Sequence, residues 1–148
     1  MTITVDVAGD GVRSPLSRAR VGEIARAALR SERVKNALVS ITFVDRRAIA
    51  RLNAQHLGRA GATDVISFAF ARATPADPVI GDVYISPEVA RENARASGTP
   101  VREEIARLVV HGVLHVLGYD HPDDGRERSD MWRRQERLVR RATGRVPR

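Results

Sequence analysis

Ala37-Leu38-Val39-Ser40-Ile41-Thr42-Phe43-Val44 is a short apolar run rich in β-branched residues, and Asp45-Arg46-Arg47 follows it directly. Such a run reads as a buried strand. Asp45 reads as the N-cap of a short helix over Arg46–Gln55 with Ile49 and Leu52 inward, since its carboxylate can accept from an orphan N–H of the first turn. Upstream, residues 2–7 alternate in polarity and read as a strand. Arg13-Ser14-Pro15 then opens a helix over about 16–31, with Ser14 as N-cap and Pro15 in the first turn. Leu16, Ala19, Ile24, Ala27 and Ala28 supply its buried stripe. Strand, helix and strand in that order predict a sheet with helices laid against it.

Downstream, residues 57–63 form a loop and Asp64–Phe70 a third strand. Val79–Ile85 is a fourth strand, interrupted early by Gly81. The intervening segment 71–78 holds two prolines and reads as a surface connection. Ser86-Pro87-Glu88 opens a helix that ends near Ser97-Gly98. Thr99-Pro100 starts the next, over about 100–117, with Glu103 and Glu104 in its first turns and Ile105, Leu108, Val109 and Val116 as its apolar face. A last helix spans about 123–142, with Met131, Leu138 and Val139 inward and Trp132 near them. The order β-α-β-α-β-β-α-α-α describes an α/β (α+β-like) single domain over 1–148, a mixed four-stranded sheet with about five helices, and a flexible tail at 143–148.

The chain has 148 residues, enough for a cored domain without staples, and no cysteine, which excludes disulfides, thiol catalysis and thiolate-held metals. That composition fits a reducing cytoplasm, and no secretion signal or 18-residue apolar run is read in it. Net charge is +7, with Lys35 the only lysine among 25 basic residues. A basic surface attracts polyanions in a salt-dependent way. The arginines of the segment 126–141 alternate with Glu127, Asp130 and Glu136 and read as a solvated helix face.

Three of the four histidines lie in His111-Gly112-Val113-Leu114-His115-Val116-Leu117-Gly118-Tyr119-Asp120-His121. His111 and His115 are one helical turn apart on one face. Gly118 suits the left-handed turn that closes a helix, after which His121 can fold back towards the other two. Three imidazoles converging on one point make a divalent-metal site with a position left open for water or substrate. The offsets match those of the HExxHxxGxxH zinc proteases, but Gly112 stands where their glutamate base stands. A peptidase reading therefore loses its base while the metal site survives. Asp120 reads equally as a group orienting a metal-bound imidazole or accepting a water proton, and as a turn residue before Pro122. His56 reads as a surface or cleft histidine. Thr63-Asp64 and Gly81-Asp82 read first as turn chemistry at strand starts, with a functional role at the sheet edge open.

These residues resemble the YbeY family of bacterial endoribonucleases, or rRNA maturation factors. The resemblance rests on Leu52-Asn53 with Thr63-Asp64-Val65-Ile66-Ser67-Phe68, on Gly81-Asp82-Val83-Tyr84-Ile85-Ser86, and on the 111–121 run followed by Met131 and Glu136. It implies a zinc held by His111, His115 and His121, and metal-dependent cleavage of single-stranded RNA. It also implies 3′-end maturation of small-subunit rRNA and ribosome quality control, with rRNA and the small subunit or its proteins as partners. The family commonly has an arginine shortly after Leu-Asn. Leu57 stands there in this chain, and Arg59 two residues on is the candidate substitute for holding RNA phosphate. Two other readings are a metallopeptidase with an unconventional base and a non-catalytic, zinc-stabilised ribosome-assembly factor.

Overall fold

The computed structural model describes residues 1–9, 11–120 and 129–144. The chain runs β1 (Thr2–Gly9), α1 (Arg18–Ser31), β2 (Asn36–Phe43), α2 (Arg46–Leu57), β3 (Val65–Ala69), β4 (Val79–Ile85), α3 (Pro87–Ser97), α4 (Val101–Val116) and α5 (Asp130–Thr143). The predicted element order is the observed one. The sheet order is β1-β2-β4-β3. β2 pairs parallel with both β1 and β4, and β3 closes one edge antiparallel to β4.

Alternation along β2 and β4 assigns the two faces. Ala37, Val39, Ile41 and Phe43 with Val79, Val83 and Ile85 are buried in the main core. Opposite, Val44, Ile49 and Ile66 form a smaller cluster in which α2 packs against β3. α4 lies against β3, β4, α1, α3 and α5. Eleven of its sixteen residues are buried, so α4 is an interior helix with neighbours on nearly every side.

Two glycines let α4 approach the sheet. A Cβ on Gly112 would lie 2.5 Å from Val83 Cγ1, and one on Gly81 would lie 2.5 Å from Val116 Cγ1. Gly81 does not interrupt β4. It stays in register with Val39 and Ala69, and its missing side chain makes room for the helix.

Several local expectations are corrected. Ser17, not Ser14, caps α1, accepting from the Arg20 N–H at 3.1 Å, and the helix starts at Arg18. Ser14 and Pro15 precede it in a turn where Ser14 accepts from the Leu16 N–H. The buried side of α1 is Val21, Gly22, Ile24, Ala25, Ala28 and Leu29, whereas Ala19 and Ala27 are exposed. Alanine fits both sides of a helix and gives little phase information. The last helix begins at Asp130, because Ser129 is extended and caps it by accepting from the Trp132 N–H, and it runs through Thr143 to Gly144. Residues 121–128, including His121, Arg126 and Arg128, lie outside the described residues, as do 145–148.

Candidate functional site

α4 carries His111 and His115 with ring centroids 4.5 Å apart and planes inclined at 76°. The two imidazoles occupy one side of the helix, as the four-residue spacing requires. α4 ends in a Schellman turn. The Gly118 N–H donates to His115 O and the Tyr119 N–H to Leu114 O, both at 3.0 Å, with Gly118 at φ 100°. The predicted turn after the second histidine is therefore present, and it directs the chain out through Tyr119 and the exposed Asp120.

The neighbour of His111 that fixes its chemistry is Gln135, on α5, which is 2% exposed. Gln135 Oε1 lies 2.6 Å from His111 Nδ1, and Gln135 Nε2 donates to Glu136 Oε2 at 3.0 Å. Glu136 accepts two further bonds of 2.9 Å from Arg107 Nε and Nη2. Burial alone would raise the Glu136 carboxyl, but the hydrogen bonds from Arg107 and Gln135 and the Arg107 charge outweigh it and hold the carboxyl below the ordinary range. The hydrogen bond to Glu136, ahead of opposing desolvation, raises the Arg107 pKa further and keeps it ionised. An ionised carboxylate only accepts, so the Gln135 amide must turn its NH2 to Glu136 and its oxygen to His111. His111 Nδ1 then carries the proton and donates, which places the imidazole lone pair on Nε2. This is the tautomer that a metal ligand needs, set by the kind of outer partner that metal-bound histidines have.

His111, Gln135 and Glu136 line a cleft of about 440 Å³ that also exposes Asp64, Glu104 and Trp132. Arg107 reaches Glu103 at 3.3 Å and Glu104 at 3.8 Å as well as Glu136. Burial pushes the Glu104 carboxyl up against the pull of Arg107, with Asp64, Glu136 and Glu103 adding to the rise. Asp64 is more than a turn residue. Its side chain accepts from Asn93 Nδ2 at 3.1 Å and faces the cleft. Asp82 lies within β4, where it accepts from Ser40 Oγ of β2 at 2.5 Å.

Asn93, Glu104, Arg107, Gln135 and the cleft role of Asp64 were missed in the sequence. The available signal was helical phase, since Glu104 and Arg107 precede His111 by seven and four residues on the same side of α4. Gln135 had none, because it meets His111 only through tertiary packing.

Gly112 packs into the sheet, with Ser67 Oγ donating to its carbonyl at 3.1 Å. A glutamate there would be driven into Val83. The peptidase reading therefore has no base at this position. His56 is exposed and meets Phe68 edge-on at a centroid distance of 5.1 Å. Leu57 and Arg59 are exposed at the end of α2 and in the following loop, which leads to Asp64. Among the described residues no three His, Asp, Glu or Cys side chains gather as a metal cluster. Two imidazoles, one with an Nε2 lone pair set by the Gln135 amide, fit part of a metal-ligand set, and His121 lies outside the described residues.

Fold and site together define an α/β domain whose interior helix presents a histidine pair beside a polar cleft. The endoribonuclease YbeY family model matches residues 11–143. Relatives bearing that name include a Kineococcus radiotolerans protein, 42% identical over 127 residues that cover 80% of this chain and 73% of that one. A Frankia alni protein is 34% identical over 148 residues, covering 93% and 81%. A Bacillus licheniformis protein is 34% identical over 152 residues, covering 95% and 96%. The chain belongs to the endoribonuclease YbeY family, whose members are hydrolases acting on RNA. The solution structure of a Thermotoga maritima protein shares the fold, with a TM-score of 0.62 at 24% identity over 95% of this chain and 90% of that one. No helix among the described residues is long and apolar enough to cross a membrane.

Proposed function

We propose that this chain is a zinc-dependent endoribonuclease that cuts single-stranded RNA, matures the 3′ end of small-subunit rRNA and serves ribosome quality control in the cytoplasm. The observation that carries the reading is the Gln135–His111 contact at 2.6 Å, which sets the tautomer of an imidazole one turn from a second imidazole. His111, His115 and His121 are the ligands for one Zn²⁺ per chain. Bound there, zinc would supply a water acidified to a pKa of about 7 and a Lewis acid for a phosphoryl oxygen. His111 holds its ring for that role through Nδ1–H and Gln135. Asp120 orients the third imidazole or accepts the water proton. Arg59 holds RNA phosphate near the cleft that Asp64 enters. The small ribosomal subunit or its proteins present the RNA.

The net charge of +7 supports a polyanionic substrate. A second cavity of about 810 Å³ past the C-terminal end of α4 is lined by three cations, Arg33, Lys35 and Arg72, against two carboxylates, Glu32 and Asp77. The test is cleavage of an end-labelled fragment spanning the 3′ end of small-subunit rRNA by zinc-loaded protein and by His111→Ala. Cutting by the first and silence from the second is the expected result. Equal cutting by both, or full cutting by zinc-free protein, would overturn the proposal.

A further inference from the structure

The cleft beside His111 has a chemistry opposite to that of the chain. Against an overall charge of +7, its walls carry Asp64, Glu104 and Glu136 and a single guanidinium, Arg107. That guanidinium is already engaged by Glu103, Glu104 and Glu136. A phosphate entering would meet carboxylates. Like charges repel one another, and more strongly in a cleft of reduced dielectric than in bulk water. The backbone of an RNA strand is thus disfavoured between these acidic walls.

An RNA strand also carries flat, neutral bases. Trp132, the only tryptophan of the chain, stands half-buried in the cleft wall, and Asn93, Ser97 and Thr99 add neutral polar groups. Unpaired bases are held by an aromatic face and by hydrogen bonds to their edges. Carboxylate oxygens only accept, and each carboxylate has about four lone-pair sites. Asp64 gives one oxygen to Asn93 Nδ2 and the other, at 3.4 Å, to Thr63 Oγ1, so acceptor capacity is left on both. The edge that matches is one rich in N–H donors. Guanine presents an exocyclic amine beside a ring N–H, adenine and cytosine each present an exocyclic amine, and uracil presents carbonyl oxygens around a single N–H. A volume of about 440 Å³ lies within the range of small-ligand pockets.

We infer that the cleft bounded by α3, α4, α5 and the start of β3 is a nucleobase subsite. A base bearing an exocyclic amine stacks on Trp132 and donates to Asp64, while its phosphate stays outside the acidic walls at the histidine end. The inference rests on the endoribonuclease reading for its ligand, single-stranded RNA, and adds a base preference to it.

Trp132 makes the test independent of turnover, because the chain has one tryptophan and that residue lines the cleft. The full-length protein is titrated with short 2′-O-methyl oligomers of adenosine, cytidine and uridine at fixed salt. The adenosine and cytidine oligomers should quench Trp132 with about tenfold higher affinity than the uridine oligomer, since side-chain hydrogen bonds to base edges discriminate between bases. Asp64→Asn keeps the size, exchanges an acceptor for a donor, and should reduce the difference to about twofold or less. Trp132→Phe, followed by anisotropy of labelled oligomers, should keep the preference and weaken the adenosine and cytidine oligomers several-fold. Equal quenching by the three oligomers, no quenching by any, or a preference retained in Asp64→Asn would overturn the inference. The rRNA cleavage assay on the same protein separates the two proposals. Amine preference without cleavage sinks the nuclease reading alone, and cleavage without amine preference sinks the subsite alone.

Discussion

Gln135 Oε1 accepts from His111 Nδ1 at 2.6 Å, and the direction of that bond is dictated by Glu136, one residue further along α5. Flipping the Gln135 amide would set its carbonyl against a carboxylate already engaged by Arg107 through two 2.9 Å bonds. A surface-reaching ion pair thus fixes a buried proton, and the proton fixes which imidazole nitrogen faces the site.

Gln135→Ala should lower zinc affinity by about 10–100-fold, the usual effect of losing an outer partner of a ligating histidine. It should also cost about 1–3 kcal/mol of stability, because His111 is 9% exposed and its Nδ1–H would lose this acceptor. Competition with a chelator measures the first and thermal melting the second. An unchanged zinc affinity would remove His111 from the ligand set.

Glu104 and Glu136 flank the same guanidinium and should respond to pH in opposite ways. The Glu136 carboxyl is held below the ordinary range, so the stability it contributes is present at neutral pH and is lost as pH falls through its folded value. The Glu104 carboxyl is pushed up by burial, so its contribution is present at low pH and is lost as pH rises through its folded value. Glu136→Gln should therefore melt below wild type at pH 7, with the gap narrowing below about pH 4.3. Glu104→Gln, which mimics the protonated acid, should melt above wild type at pH 7, and its advantage should vanish below about the same pH. Melting curves across pH that moved in one direction for both variants would contradict these assignments.

The fold was legible where local signals were strong. Asp45 and Ser86 cap the helices they were read to cap, accepting from the Ala48 and Val89 N–H groups, and β-branched runs became the central strands. The phase of α1 was not legible, since alanines stand on both its buried and its exposed sides and the true cap, Ser17, competes with Ser14 only three residues away. The histidine face of α4 followed from spacing alone. The cleft did not, because Asp64 precedes β3 while Asn93, Glu104 and Gln135 lie on three helices, and these meet only once the sheet and helices have packed.

Gly112 shows the same limit from the other side. Its place after His111 suggests a lost catalytic base, yet its role is packing. Gly112→Ala should destabilise by about 1–3 kcal/mol through overpacking against Val83, read as a lower melting temperature. Gly112→Glu should destabilise at least as much and acquire no peptidase activity. Peptide cleavage by that variant would show that the position can reach the reacting centre after all.

Tyr119 ties down the chain just before His121. Its hydroxyl donates to Glu32 Oε1 at 2.5 Å, Arg134 Nη1 donates to Glu32 Oε2 at 3.0 Å, and the Arg134 guanidinium stands 5.2 Å from the Tyr119 ring centroid. The Glu32 side chain is only 7% exposed, so removing one donor leaves a poorly solvated carboxylate with less compensation. Tyr119→Phe keeps the ring and removes that donor, and should cost about 1–2 kcal/mol. If His121 is the third zinc ligand, the segment leading to it also loses an anchor, and zinc should dissociate faster from Tyr119→Phe than from wild type in a stopped-flow chelator assay. A lower melting temperature with an unchanged zinc off-rate would confine this cluster to folding and separate it from the metal site.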